Sequence, residues 1–100
     1  MPAKAHREIR PEDDVIRLAN IGKAMQADLA LLGIRTVGEL ATRDADALYL
    51  ELEVKTGTRH DPCVHDTFAA AIHQARTGEA LAWWDFTPAR KARQKTGRFV

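Results

Sequence analysis

The stretch Leu18 to Leu40, LANIGKAMQADLALLGIRTVGEL, decides how the chain is read. Asn20 accepts a positive φ more readily than most residues with a Cβ, and Gly22 takes one freely, so Asn-Ile-Gly can reverse the chain within about three residues. Ile21, between them, is expected to point inward and pin the turn. A helix beginning at Lys23 or Ala24 places Met25, Leu29 and Leu32 on one face, since residues three and four apart are neighbours on a helix. Gly33 reads as the residue just past its end, with Ile34 as the hydrophobic contact that follows. Thr36 and Glu39 form a capping box that opens a short helix through Val37 and Leu40.

Upstream, Pro11 followed by Glu12, Asp13 and Asp14 has the composition of a helix start, with acids at the positive end of the dipole. Val15, Leu18 and Ala19 would be the apolar stripe of that first helix, which stops near Asn20. Met1 to Arg10 is polar, mixed in charge and expected to be loose. Downstream, Asp44 can cap a helix with Leu48, Tyr49 and Leu52 on one face and Gly57 at its end. Asp61-Pro62 is a further start, with the aspartate as N-cap and the proline at the first helical position. From there Val64, Phe68, Ala71, Ile72 and Ala75 mark the central core helix, ended by Gly78. An apolar connector, Leu81 to Phe86, carries two adjacent tryptophans, and Thr87-Pro88 opens a basic helix that fades before Gly97.

No segment alternates with a period of two for long enough to make a strand, so the expected class is all-α with five or six helices. The layout predicts two helix-turn-helix hairpins, 12–32 and 44–76, related by a pseudo-twofold and joined by the short helix; the second lacks the Ile-Gly pattern. Three parts result: an N-terminal segment 1–10, a body 11–86 and a basic tail 87–100.

With 100 residues and 11.1 kDa, 45% hydrophobic and 29% charged, the chain has the composition of one globular domain rather than of a disordered segment. The single cysteine, Cys63, leaves no partner for an intramolecular disulfide and suits a reducing cytoplasm. No apolar run approaches the roughly 18 residues of a membrane span, and MPAKAHREIR lacks the apolar stretch of a signal peptide. A soluble cytoplasmic protein is therefore expected. The net charge of +1 conceals an asymmetry: Arg90, Lys91, Arg93, Lys95 and Arg98 make the tail +5, while residues 1–85 carry ten basic and 14 acidic side chains. Any nucleic-acid affinity must be local.

The turn offers such a local site. Unpaired N–H groups at a helix start, together with the dipole, favour an anion. The amides of Gly22, Lys23 and Ala24 would donate, the Lys23 ammonium would add charge, Asn20 and Ile21 would shape the turn, and Arg17 lies one turn upstream. Contacts of this kind position a protein on a phosphate backbone without reading bases. In the tail, Arg90, Lys91, Arg93 and Lys95 read either as a solvated helix or as an arm adding salt-sensitive affinity.

LANIGKAMQADLALLGI resembles a helix-hairpin-helix motif, with Asn20 where many members have a first glycine. The Asn-Ile-Gly-Lys turn also resembles the hairpin in the C-terminal domain of the RNA polymerase α chain, and the layout resembles the C-terminal domain of TfoX-type regulators. A closer match runs from Leu18 to about Ala92: NIGKAMQADLALLGI, GTRHDPCVHDTF and LAWWDFTPARKA resemble the small bacterial proteins of the pathogenicity-locus family, some labelled mitomycin resistance proteins. That resemblance implies a helix-hairpin-helix fold and a DNA-binding role.

His60, Asp61, Cys63, His65 and Asp66 crowd one short segment, and all are of metal-ligating types. Asp61 and His65 are four apart and can share a helix face, and His73 lies loosely on the same side; on a helix from Pro62 the group as a whole diverges. An N-cap aspartate, solvent-facing histidines and a buried cysteine are the simpler reading, so no metal or cofactor is expected. Cys63 in a helix's first turn has a nucleophile's position, with His60 or His65 as base, yet no oxyanion donors are identifiable and no enzyme is expected. Trp83 and Trp84 could stack on bases, but core closure, with at least one ring buried, is the simpler expectation. The reading is thus a weak, non-sequence-specific DNA-binding protein; the alternative is a protein-interaction adaptor with the same fold.

Overall fold

In the computed structural model, which describes residues 9–100, the apolar stripe from Val64 to Ala75 becomes the central helix of an all-α domain. The helices are α1 (Lys23–Leu31), α2 (Val37–Ala41), α3 (Ala45–Thr56), α4 (Pro62–Thr77) and α5 (Thr87–Lys95), with single 3-10 turns at Val15–Arg17 and Trp83–Phe86. Phe68, Ala70 and Ala71 on α4 are fully buried, and α4 packs against α2, α3 and the Trp83–Phe86 turn. Leu29, Leu40, Leu48 and Leu52 complete the core from the other helices. Burial of each large apolar side chain contributes about 1.5–3 kcal/mol, which is what makes α4 the axis of the fold.

The end signals act as their chemistry dictates. At the end of α1, Gly33 (φ 79°) donates its N–H to Ala30 at 3.0 Å and Ile34 donates to Leu29 at 2.9 Å, the paired bonds of a Schellman motif. Both halves of the Thr36–Glu39 capping box are formed, Asp44 caps α3, Asp61 caps α4, and Gly57 and Gly78 end these helices in the left-handed conformation.

Residues 12–19 do not form the helix predicted there. Asp14 is extended and pairs with Thr36 in an isolated antiparallel bridge. Val15 N–H donates to Arg35, while Val37 and Gly38 donate to Asp13 and Pro11 at 2.8 and 2.9 Å. Pairing with the segment that follows α1 has taken the backbone groups a helix would use, so one 3-10 turn remains. Val15 and Leu18 are nevertheless buried, because positions three apart eclipse on a 3-10 turn. The proximity also explains Gly38, for which local sequence offers no reason: a Cβ there would meet the Pro11 carbonyl oxygen at 3.1 Å and its Cβ at 3.2 Å. Of the two expected hairpins, the second joins two α-helices, α3 and α4, while the first joins the Val15–Arg17 3-10 turn to α1.

The expectation of a loose N-terminus falls, for residues 1–8, outside the described residues; Ile9 packs on the core and Arg10 N–H donates to Asp13. The basic segment 87–100 is docked along one face and exposed along the other. Phe99 and Val100 lie against the core, Phe99 meets His65 edge-on with ring centres 4.9 Å apart, and Arg90 is buried. Among the described residues, no helix is long and apolar enough to cross a membrane.

Candidate nucleic-acid interface

Gly22 is the N-cap of α1 and, having no side chain, gives the helix no capping hydrogen bond. Gly22, Lys23 and Ala24 are all exposed, and a Cβ built on Gly22 would meet nothing within 4 Å. No side chain of the N-cap residue takes the first-turn amides of α1, which lie at the positive end of the helix dipole. The positive φ expected of Gly22 is absent: its φ of −88° with ψ −173° is ordinary extended backbone. Asn20 carries the reversal, with φ 70°.

Asn20 does more than turn the chain. Its Nδ2 donates to the Leu81 carbonyl at 2.8 Å and its Oδ1 accepts from the Trp83 N–H at 3.1 Å. One residue earlier, Ala19 N–H donates to Oε1 of Gln74 on α4 at 2.8 Å. Glycine in place of Asn20 would supply the conformation but neither of the two side-chain bonds. Ile21 is half-buried and points inward against the core. Arg17 is exposed and pairs with Asp13 at 3.3 Å.

The four tail cations expected as contacts divide into two pairs. Arg90 donates to the fully buried Asp66 at 2.9 Å, and Arg93 grips Asp46 with two bonds of 3.1 and 2.6 Å. Burial alone would push the Asp66 carboxyl up, but hydrogen bonds from Arg90 and Thr87 outweigh it and hold the group below its ordinary value. Asp46 is also lowered, chiefly by the Arg93 hydrogen bond. Lys91 and Lys95 remain exposed. In sequence all four cations belong to one arm, because the carboxylate partners of the two arginines lie 24 and 47 residues away in the chain.

The metal-type residues do not converge. His60 meets Thr56 and His65 meets Asp46 at 2.6 Å, while Cys63 lies 3.9 Å from Arg90. Asp61, expected to share a face with His65, spends its carboxylate on Cys63 N–H at 2.8 Å, and His73 pairs with Glu79. Among the described residues, no cluster of three His, Cys, Asp or Glu side chains is arranged to hold a metal ion. Cys63 has its thiol pushed up, first by desolvation and then by hydrogen bonding to Asp61, opposite to the shift that activates a nucleophile. The tryptophans differ from expectation too: neither ring is fully buried, Trp84 is 62% exposed, and the two meet edge-on with centres 5.5 Å apart.

Fold and site together define a small all-α domain with an exposed, uncapped helix start held from behind by side-chain hydrogen bonds. The chain belongs to the pathogenicity-locus family (Cdd1), whose family model matches residues 12–92. It is 36% identical over 78 residues to a protein named mitomycin resistance protein McrB from Streptomyces lavendulae, covering 78% of this chain and 74% of the relative. No solved structure matches the chain.

Proposed function

We propose that this protein is a binding protein, not an enzyme, and that it holds the phosphate backbone of DNA weakly and without sequence preference at the start of α1. The observation that carries this reading is the exposed N-cap Gly22, with no capping side chain and open space where a Cβ would stand. A phosphate oxygen can reach the amides there, and Lys23 adds a cation. Asn20 keeps the turn rigid, so little ordering is needed on binding. The body carries more acids than bases, which suits a local contact rather than an enveloping one. The name of the Streptomyces relative extends to this chain the proposal of a role in mitomycin resistance.

The test is a salt-titrated binding assay on duplex, single-stranded and branched DNA, comparing wild type with a Gly22→Asp, Lys23→Glu double variant. An aspartate at Gly22 meets no steric obstacle and would cap the helix with its own carboxylate. Affinity should fall at least tenfold with the helical circular dichroism unchanged. Equal affinity of the folded variant would remove the turn from the mechanism. For the tail, Lys91→Ala with Lys95→Ala is the sound probe, because truncation would strip Asp66 and Asp46 of their partners. The slope of log affinity against log salt should flatten by roughly 0.7–0.9 for each phosphate that the variant no longer neutralises.

The second reading, an adaptor that binds another protein, is favoured by one feature. Leu50 and Val54, one turn apart on α3, are 45% and 81% exposed. That reading expects no measurable DNA affinity even at low salt.

A further inference from the structure

The two tryptophans are spent neither on the core nor on the proposed backbone contact. Trp83 and Trp84 line an open groove of about 530 Å³ with Cys63, Pro88, Arg90 and Lys91. Its walls are mostly apolar, with Thr87 adding a hydroxyl, its charged side chains are two cations, and among the described residues no carboxylate lines it. Arg90 is held by Asp66, which leaves the exposed Lys91 as the cation able to meet a ligand. An indole face beside an exposed ammonium matches a flat ring that carries a phosphate.

The position of the groove relative to the turn is fixed. Asn20 bonds the carbonyl of Leu81 and the N–H of Trp83, while Gly22, two residues along the chain, lies at most about 7 Å from Asn20 by backbone reach. Phosphate-sized donors and an aromatic platform are thereby joined through one side chain, with no flexible linker between them. The Trp83–Phe86 turn itself packs on α4 and α5, so the platform is supported on both sides.

We infer that the Trp84 groove takes an unpaired nucleobase, with Lys91 on its phosphate, and that the protein prefers DNA with a single-stranded or frayed segment over intact duplex. This rests on the backbone-binding reading of the α1 turn and assigns it a nucleic-acid form. The turn would hold the backbone while the groove holds a base released from the stack.

The experiment measures intrinsic tryptophan fluorescence and affinity for three probes: a thymidine oligonucleotide of about 20 nucleotides, a duplex of about the same length, and that duplex with a single-stranded flap, long enough to span a stacking site and its flanking backbone. Proteins compared are wild type, Trp84→Ala, Trp84→Phe and the Gly22→Asp, Lys23→Glu variant. Wild type should show quenching and tighter binding on the single strand and the flap. Trp84→Ala should lose at least about fivefold on those two probes, the lower end of a base–aromatic stack, and nothing on duplex, while Trp84→Phe keeps most of the affinity. Because Trp84 is exposed, neither change should alter the helical circular dichroism. Equal loss on all three probes, or no loss on any, overturns the groove as a base site. Concentration-dependent dimerisation that Trp84→Ala abolishes, with DNA binding unchanged, would also overturn it in favour of self-association. If the turn variant binds the single strand as wild type does while Trp84→Ala does not, the groove stands and the turn reading fails.

Discussion

The two inter-element turns Asn20–Gly22 and Gly57–Asp61 each deliver the chain into a helix, yet they leave opposite surfaces behind. Before α4, Asp61 folds its carboxylate onto the amide of Cys63, and the positive end of that helix is neutralised from within. Before α1, Gly22 has no side chain with which to do the same, and the helix start carries no side-chain cap. What ties each hairpin to the fold also differs. Neutral hydrogen bonds from Asn20 and Gln74 hold the first turn, while α4 of the second hairpin holds α5 through Asp66–Arg90, with Asp46–Arg93 beside it on α3. A helix start becomes a candidate anion site when the residue before it does not cap it and the chain behind it is fixed by other means.

The largest way to break the contrast is to remove the buried carboxylate. Asp66→Ala leaves Arg90 without its partner and should cost roughly 3–5 kcal/mol in chemical denaturation, the usual penalty for an orphaned buried charge. Acidification should act on the same bonds more gradually. Asp46 and Asp66 are held below the ordinary 3.8 when folded, so they contribute stability that is present above that value and lost as pH falls through their lowered folded values. Denaturation midpoints followed downward from neutral pH should fall mainly below about pH 4, and this acid-dependent loss should be smaller in Asp66→Asn.

Next comes the neutral tie. Asn20→Ala removes two hydrogen bonds worth about 1 kcal/mol each and leaves at φ 70° a residue that takes the left-handed conformation less readily than asparagine, a smaller added cost. Asn20→Gly should lose only the bonds, and equal losses for the two would mean that the φ of 70° carries no cost. The smallest effects come from exchanging the caps. Gly22→Asp should raise stability by a few tenths of a kcal/mol, the modest gain of an N-cap carboxylate over glycine, while weakening DNA binding. Asp61→Gly should do the reverse on both counts, and unchanged DNA affinity in both swaps would show that capping does not distinguish the turns.

Much of this was legible in the sequence because end signals are local. Gly33, the Thr36–Glu39 box, Asp44, Gly57, Asp61-Pro62 and Gly78 each act through neighbours within a few residues, and each ends or starts the helix its chemistry implies. Where a distant segment competes, local pattern misleads. Residues 12–19 have a helix start and stripe, but the backbone of 35–38 claims their hydrogen bonds. Arg90 and Arg93 look solvated until α3 and α4 bring Asp46 and Asp66 beneath them. Nothing in the string LAWWDF signals that Asn20 holds it by two bonds.

By itself, then, the sequence determined the all-α class, the extents of α1 to α5, the core face of α4 and the location of the Asn20–Gly22 turn, since periodicity and capping are properties of a few consecutive residues. The tertiary structure decided which cations are consumed, and that the tryptophans line a surface groove whose Trp83 is bonded to Asn20 of the turn. Those outcomes depend on which polar groups meet across the fold, and whether a group is buried or paired is set by partners anywhere along the chain.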